Sequence, residues 1–204
     1  MEIKRVIVLG IDLDETLIAK RNPYITSTSN HPQDWYINKS AKKYLPLIAK
    51  ELSPIFHLIT AREQSVKVEY IVKFIEKTLG IKFMSVNYTD YQAKGHISHK
   101  LGCDFLIDDY QDYIKDCHEY LPSTLPLWFK VKKQSRANTL KYPAISCHSW
   151  LEVYLFLKDF QFREHLAVKA RVREVYHNNK FLFLNYILLV FFHVNTSGQV
   201  KKNK

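Results

Sequence analysis

Cysteine is scarce in this sequence: Cys103, Cys117 and Cys147 are the only three in 204 residues. Their number is odd and no two stand in a Cys-x-x-Cys spacing. They therefore read as reduced thiols of a cytoplasmic protein rather than as a disulfide framework. A chain of this length can bury a substantial core without such staples. The first apolar run, Val6 to Ile11, is short and is stopped by Asp12 and Asp14, so no secretory signal is expected. Internal repeats and low-complexity linkers are also lacking. What remains is 47% hydrophobic and 25% charged, the profile of a globular domain of 1–160 followed by an appendage of 161–204.

Acidic residues are outnumbered, and the formal net charge is +10. The excess is uneven. From Gln161 onward eight Lys and Arg face two Glu, a balance of +6, which leaves +4 for the first 160 residues. A modest positive field suits any phosphate-bearing partner and does not by itself single out nucleic acid.

Five short apolar runs alternate with helix-like stretches, the pattern of an α/β fold whose parallel sheet is covered on both faces. The runs are Val6 to Ile11, Ile55 to Ile59, Phe83 to Val86, Phe105 to Ile107 and Leu127 to Val131. Ser40 to Leu52 predicts a helix, with Ser40 as its cap and Tyr44, Leu45, Ile48 and Leu52 on one face. Ser65 to Leu79 predicts another, with Val68, Ile71, Val72, Ile75 and Leu79 at helical spacing and Gly80 as its stop. Further helices are expected from Lys94 to Leu101, ahead of Gly102, and from His148 to Phe160, with Trp150, Val153, Tyr154 and Leu157 inward. Ala19 to Asn38 is polar and turn-rich and predicts a loop or small flap.

Acidic residues stand where the parallel strands should end. The first run leads into Asp12 and Asp14, the second ends at Thr60, and the fourth ends at Asp108 and Asp109. In open α/β sheets ligands bind outside the carboxyl ends of the strands, where strand order reverses. With a strand order of 3-2-1-4-5, Asp12 and Asp108 lie on neighbouring central strands with Thr60 beside them. Carboxylates brought together there repel one another unless a cation lies between them, and oxygen-only ligation favours Mg2+ shared with a substrate phosphate. Each feature has a commonplace counterpart, since Asp-x-Asp occurs in turns and Asp-Asp before a helix is often a cap. The ordered recurrence of acid, Thr, Lys and acid is what those counterparts leave unexplained.

The same residues carry a resemblance to phosphatases of the haloacid dehalogenase (HAD) superfamily. Asp12-Leu13-Asp14-Glu15-Thr16-Leu17 resembles the first motif of that family, Leu58-Ile59-Thr60-Ala61-Arg62 the second, and Phe105-Leu106-Ile107-Asp108-Asp109 the fourth. The third motif is a single Lys, for which Lys94 and Lys100 compete. Lys94, at the helix start, falls on the side of the strand ends. The resemblance covers roughly Val6 to Phe160 and implies a HAD-like three-layer Rossmannoid fold. It implies Asp12 as a nucleophile and Asp14 as general acid and base. Thr60, Ala61, Arg62 and Lys94 would meet the phosphate. Mg2+ would be held by Asp12, Asp108 and Asp109 with the main-chain carbonyl of Asp14.

Neither the interval from Thr16 to Ile55 nor that from Arg62 to Lys94 has room for a full cap domain, so a capless, open site is expected. Two branches of the family are in view. Asp12 to Leu17 resembles the RNA polymerase C-terminal-domain phosphatases, which implies a phosphoprotein substrate. Leu106-Ile107-Asp108-Asp109 and Ser149-Trp150-Leu151-Glu152 resemble the 5′-nucleotidase branch, which implies a nucleotide. His31, Trp35 and Tyr36 in the flap could stack on a base. A phosphate-binding module without chemistry is the non-enzymatic reading. In the tail, Phe181 to Val194 is fourteen nearly apolar residues between Lys180 and Lys201. That is short of the about 20 needed to span a bilayer. An extra element, an appendage or a membrane-surface anchor are the readings, and the basic ends would favour anionic lipid.

Overall fold

A computed structural model describes residues 6–26, 29, 31–129 and 144–162. The strands are β1 (Val8–Ile11), β2 (Ile18–Lys20), β3 (Trp35–Ile37), β4 (Ile55–Thr60), β5 (Phe83–Tyr88), β6 (Phe105–Asp108), β7 (Leu125–Phe129) and β8 (Ile145–Cys147). The helices are α1 (Lys39–Leu52), α2 (Glu69–Leu79), α3 (Gly95–Lys100), α4 (Gln111–Ile114) and α5 (Trp150–Phe162). Six strands form one parallel sheet in the order β5-β4-β1-β6-β7-β8. This is the expected order 3-2-1-4-5 extended by a sixth strand.

The sequence explains this arrangement. The central strands are apolar on both sides, and Leu9, Ile11, Leu58, Phe105, Leu106, Ile107, Leu127 and Phe129 are all fully buried. Each such side chain contributes about 1.5–3 kcal/mol relative to exposure, so only a sheet covered on both faces uses them. On one face Ile59, Leu106, Trp128 and Ala144 join Cys103, Ile114 and Cys117 in a single cluster, with Ile97 and Leu101 of the α3 region against it. Gly10 permits this close fit, because a Cβ there would come within 2.8 Å of Ile59 Cδ1. Residues alternating with these point to the other face, where the Trp150 ring lies 5.5 Å from that of Phe129.

Several boundaries differ from expectation for local reasons. The cap of α1 is Asn38, whose side chain accepts from Ser40 N at 3.0 Å, and not Ser40 itself. The Ser40 hydroxyl instead accepts from Trp150 N at 3.2 Å. Helix α2 begins at Glu69 rather than Ser65, because Val66 N closes a turn on Glu63 O. Strand β7 begins earlier, at Leu125, and ends at Phe129; Val131 lies outside the described residues. The flap is an antiparallel hairpin of β2 and β3, with Ile18 opposite Ile37 and Lys20 opposite Trp35.

The three cysteines are free and buried. Burial pushes all their thiols up, that of Cys103 to about 12 with help from Asp104, so they remain protonated and unreactive. The chain divides into two units, Met1–Tyr154 and Leu155–Lys204. Most of the second unit, including the apolar run 181–194 and its lysines, lies outside the described residues. No helix among the described residues is long and apolar enough to cross a membrane.

Trp150 is fully buried and its indole N–H donates to Thr16 O at 3.1 Å. Trp150→Ala is expected to lower unfolding free energy by about 3–5 kcal/mol in a urea titration. Its neighbour Leu151 is 37% exposed, and Leu151→Ala should stay within about 0.5 kcal/mol of the parent.

Candidate active site

The connections create one topological reversal. From β1 the chain moves outward on one side through β4 and β5, then returns across the sheet to β6 and moves outward on the other through β7 and β8. The reversal therefore falls between β1 and β6, where a pocket opens at the carboxyl ends of an α/β sheet. The β1–β6 ladder continues one step beyond β1, with Asp12 N donating to Ile107 O at 2.9 Å. That step sets Asp12 beside Asp108, the last residue of β6.

The loop after β1 is folded tightly. Leu13 and Leu17 are fully buried, and the Leu13 carbonyl accepts from both Leu17 N and Ile18 N at 3.0 Å. Glu15 adopts a left-handed φ of 59°, a conformation that costs roughly 1–3 kcal/mol in a non-glycine residue. The two buried leucines and the Glu15 N to Ile18 O bond at 2.7 Å offset that strain.

Lys94 is completely buried. Its Nζ lies 2.5 Å from Asp12 Oδ1 and 2.6 Å from Asp108 Oδ2, and 4.9 Å from the centre of the Tyr113 ring. Its own amide donates to Tyr113 O at 2.8 Å. Immediately after it, Gly95 N and His96 N donate to the two carboxylate oxygens of Asp116, at 2.8 and 3.0 Å. This clamp requires glycine at 95, since a Cβ would stand 2.5 Å from Asp116 Oδ1 and 2.6 Å from Cys117 N. Lys100, the other candidate, is exposed at the far end of α3.

Burial alone would lower the pKa of Lys94, but Asp108 and Asp12 outweigh it and hold the ammonium protonated. Burial raises the pKa of Asp12 well above the usual carboxylate range; Lys94 opposes the rise, while Asp108, Asp109 and Asp14 add to it. Asp108 is also raised by burial, against the Lys94 charge and the Tyr110 amide that donates to it at 2.8 Å. Asp109 is raised to about 7, by burial first and by Asp108 next. Oxygens of Asp12, Asp108 and Asp109 come within 4.8 Å of one another.

Asp14 pairs with a different cation. Arg62 Nε and Nη2 donate to its two oxygens at 2.9 and 2.7 Å. Of the sequence-derived candidates, the fold thus gathers Asp12, Lys94, Asp108 and Asp109 into one cluster and pairs Asp14 with Arg62 beside it. Thr60, fully buried at the end of β4, accepts from Arg62 N at 3.3 Å. The Ala61 carbonyl accepts from Tyr91 N at 2.7 Å, which directs the chain from β5 toward Lys94. Trp35 is buried beneath the Arg62 guanidinium, while Tyr36 and His31 are exposed. Sequence reasoning missed Tyr113 and Asp116. Asp116 carries no local signal, because the Gly95 and His96 amides that it accepts from lie about twenty residues earlier in the chain.

Four carboxyl groups (Asp12, Asp14, Asp108 and Asp109) face two cations, Lys94 and Arg62. A crowded set of carboxyl groups with only oxygen donors fits a hard divalent cation such as Mg2+.

No family model and no curated protein matches this chain. Among solved structures it is similar to an uncharacterized protein from Listeria monocytogenes serotype 4b, with 16% identity, 76% of this chain and 99% of that chain covered, and a TM-score of 0.53. It is also similar to a HAD-superfamily hydrolase from Ehrlichia chaffeensis (12% identity, 78% and 98% covered, TM-score 0.49). A chain of the Pnkp1/Rnl/Hen1 complex matches at 18% identity, with 63% and 47% covered and a TM-score of 0.44. At such identities likeness concerns the fold alone.

The raised carboxylates give a signed pH dependence. Between the ordinary value of 3.8 and about 7, the folded chain holds a proton on Asp109 that the unfolded chain has lost. Stability from this source is therefore present at low pH and lost as pH rises through about 7. A divalent cation binds the ionised form, so its stabilising effect should grow over the same interval. Melting temperatures measured with Mg2+ and with a chelator should be nearly equal near pH 5 and diverge near pH 8; equal values throughout would contradict the assignment of this cluster.

Proposed function

We propose that this protein is a Mg2+-dependent phosphomonoesterase of the HAD type, acting through an aspartyl-phosphate on Asp12. The observation that carries the proposal is the buried Lys94 ammonium bridging Asp12 and Asp108, with Asp109 adjacent, at the point where the sheet order reverses. The first, second and fourth motifs supply Asp12, Thr60 and Asp108 at the ends of three neighbouring strands, β1, β4 and β6.

In the proposed reaction a carboxylate oxygen of Asp12 attacks phosphorus in line, and the bond to the ester oxygen breaks. Asp14, exchanging its ion pair with Arg62 for a proton as the ester binds, gives that proton to the oxygen and the alcohol leaves. Water then attacks phosphorus, its proton passes to Asp14, and the bond to Asp12 breaks to release inorganic phosphate. Lys94 holds Asp12 in place and offsets phosphate charge. Asp12, Asp108 and Asp109, with the Asp14 carbonyl, would hold Mg2+, which supplies further positive charge against the phosphoryl oxygens when bound.

A nucleotide is the proposed substrate class. It is supported by the resemblance of Leu106 to Asp109 and of the α5 start, Ser149 to Glu152, to the nucleotidase branch. Exposed Tyr36, Tyr91 and Tyr110 close to the candidate residues in sequence and hydrogen bonding offer faces for a base. The test is hydrolysis of an aryl phosphate with and without Mg2+, followed by nucleoside monophosphates and phosphopeptides. Turnover should require Mg2+ and favour nucleotides, and Asp12→Asn should lower kcat by more than about 10³-fold with folding kept. A phosphopeptide preference would favour the protein-phosphatase branch. Absence of Mg2+-dependent vanadate binding would leave only the reading without phosphate chemistry.

A further inference from the structure

The geometry points to Arg62 as a positioning residue that sets the orientation of Asp14 and ties it to the β2–β3 hairpin; the inference rests on the phosphomonoesterase reading and deepens it. Arg62 follows Thr60 by two residues and is 4% exposed, which is unusual for a charged side chain unless it is fully engaged. Its guanidinium meets three separate pieces of the chain. The fork of Nε and Nη2 grips both oxygens of Asp14. Nη1 donates to Ser29 O at 3.0 Å. The Trp35 ring lies 4.8 Å beneath the plane, and its indole N–H donates to the same Ser29 carbonyl at 3.2 Å.

An arginine meant to receive a phosphate keeps its planar fork open toward solvent. Here that fork is spent on a carboxylate, and the remaining amine is fixed by the hairpin. Asp14, by contrast, keeps a third of its side chain exposed. It is gripped by Arg62 and still open to an arriving ester. Arg62 therefore acts on the reaction through Asp14, and Trp35 and Ser29 act through Arg62. The effect of removing the grip depends on how much the leaving oxygen needs a proton. An alkoxide is a poor leaving group without one, whereas an activated aryl oxide departs unaided. The phosphoryl group is the same in both esters, so a residue that binds phosphate would affect both alike.

The experiment compares kcat/KM for an alkyl phosphate and for p-nitrophenyl phosphate in the unmodified chain, in Arg62→Lys, in Asp14→Asn and in the two combined. Arg62→Lys keeps the charge but loses the fork. It should lower turnover of the alkyl ester about 10²-fold and that of the aryl ester by less than about fivefold. Once Asp14→Asn is present, Arg62→Lys should add no further selectivity between the esters. Equal losses on both esters, or none on either, overturn the inference and leave the phosphomonoesterase reading standing. Turnover of neither ester by the unmodified chain with Mg2+ overturns both. Should Arg62→Lys not fold, Trp35→Phe retains a ring under the guanidinium and loses the N–H to Ser29. It should show the same selectivity in smaller degree, and unchanged selectivity there overturns the inference.

Discussion

Everything in the candidate site is arranged around one buried ammonium. Removing a charged group from water costs several kcal/mol, and Lys94 is wholly buried. It is tolerable only because Asp12 and Asp108 stand on either side at 2.5 and 2.6 Å. The dependence is mutual, since burial raises both carboxyl groups and Lys94 is the charge that opposes the rise. The strand order brings the two acids together, and the Asp116 clamp on Gly95 and His96 brings the lysine. A change in any of these three parts leaves charge buried without a partner.

The cluster is also unbalanced. One ammonium serves Asp12, Asp108 and the nearby Asp109, whose carboxyl is raised to about 7. Such a site holds protons it would release to a divalent cation, and this links the electrostatics to the proposed chemistry. Cation and phosphate together would complete a charge set that the polypeptide leaves partial. Beside it, the Arg62 and Asp14 pair is balanced within itself and attached to the hairpin. The proposed acid and base is thus governed separately from the proposed nucleophile.

Much of this was legible in the sequence, for identifiable reasons. Asp12 and Asp108 directly follow strongly apolar runs, the form that a parallel strand buried on both faces takes. Lys94 could be preferred to Lys100 because a helix start faces the strand ends, and the structure brings Lys94 to the two acids. The three-residue strands β2, β3 and β8 were not legible, because a period of two needs more residues to appear. Ser40 and Asn38 are both good cap residues, and the spacing alone does not distinguish Asn38, which caps, from Ser40, whose hydroxyl accepts from Trp150 N. The partners that fix the site were hidden for a different reason. Asp116, Tyr113 and Trp35 act through contacts distant in sequence, and no spacing rule reports those.

The most direct test of the account is chemical identification of the phosphorylated residue. After brief incubation with a substrate and Mg2+, acid quench and borohydride reduction, peptide mass mapping should find homoserine in place of Asp12, and only when substrate was present. Turnover with no modification at Asp12, or with the label on another side chain, would contradict the claim that this carboxylate, held by Lys94, is the nucleophile.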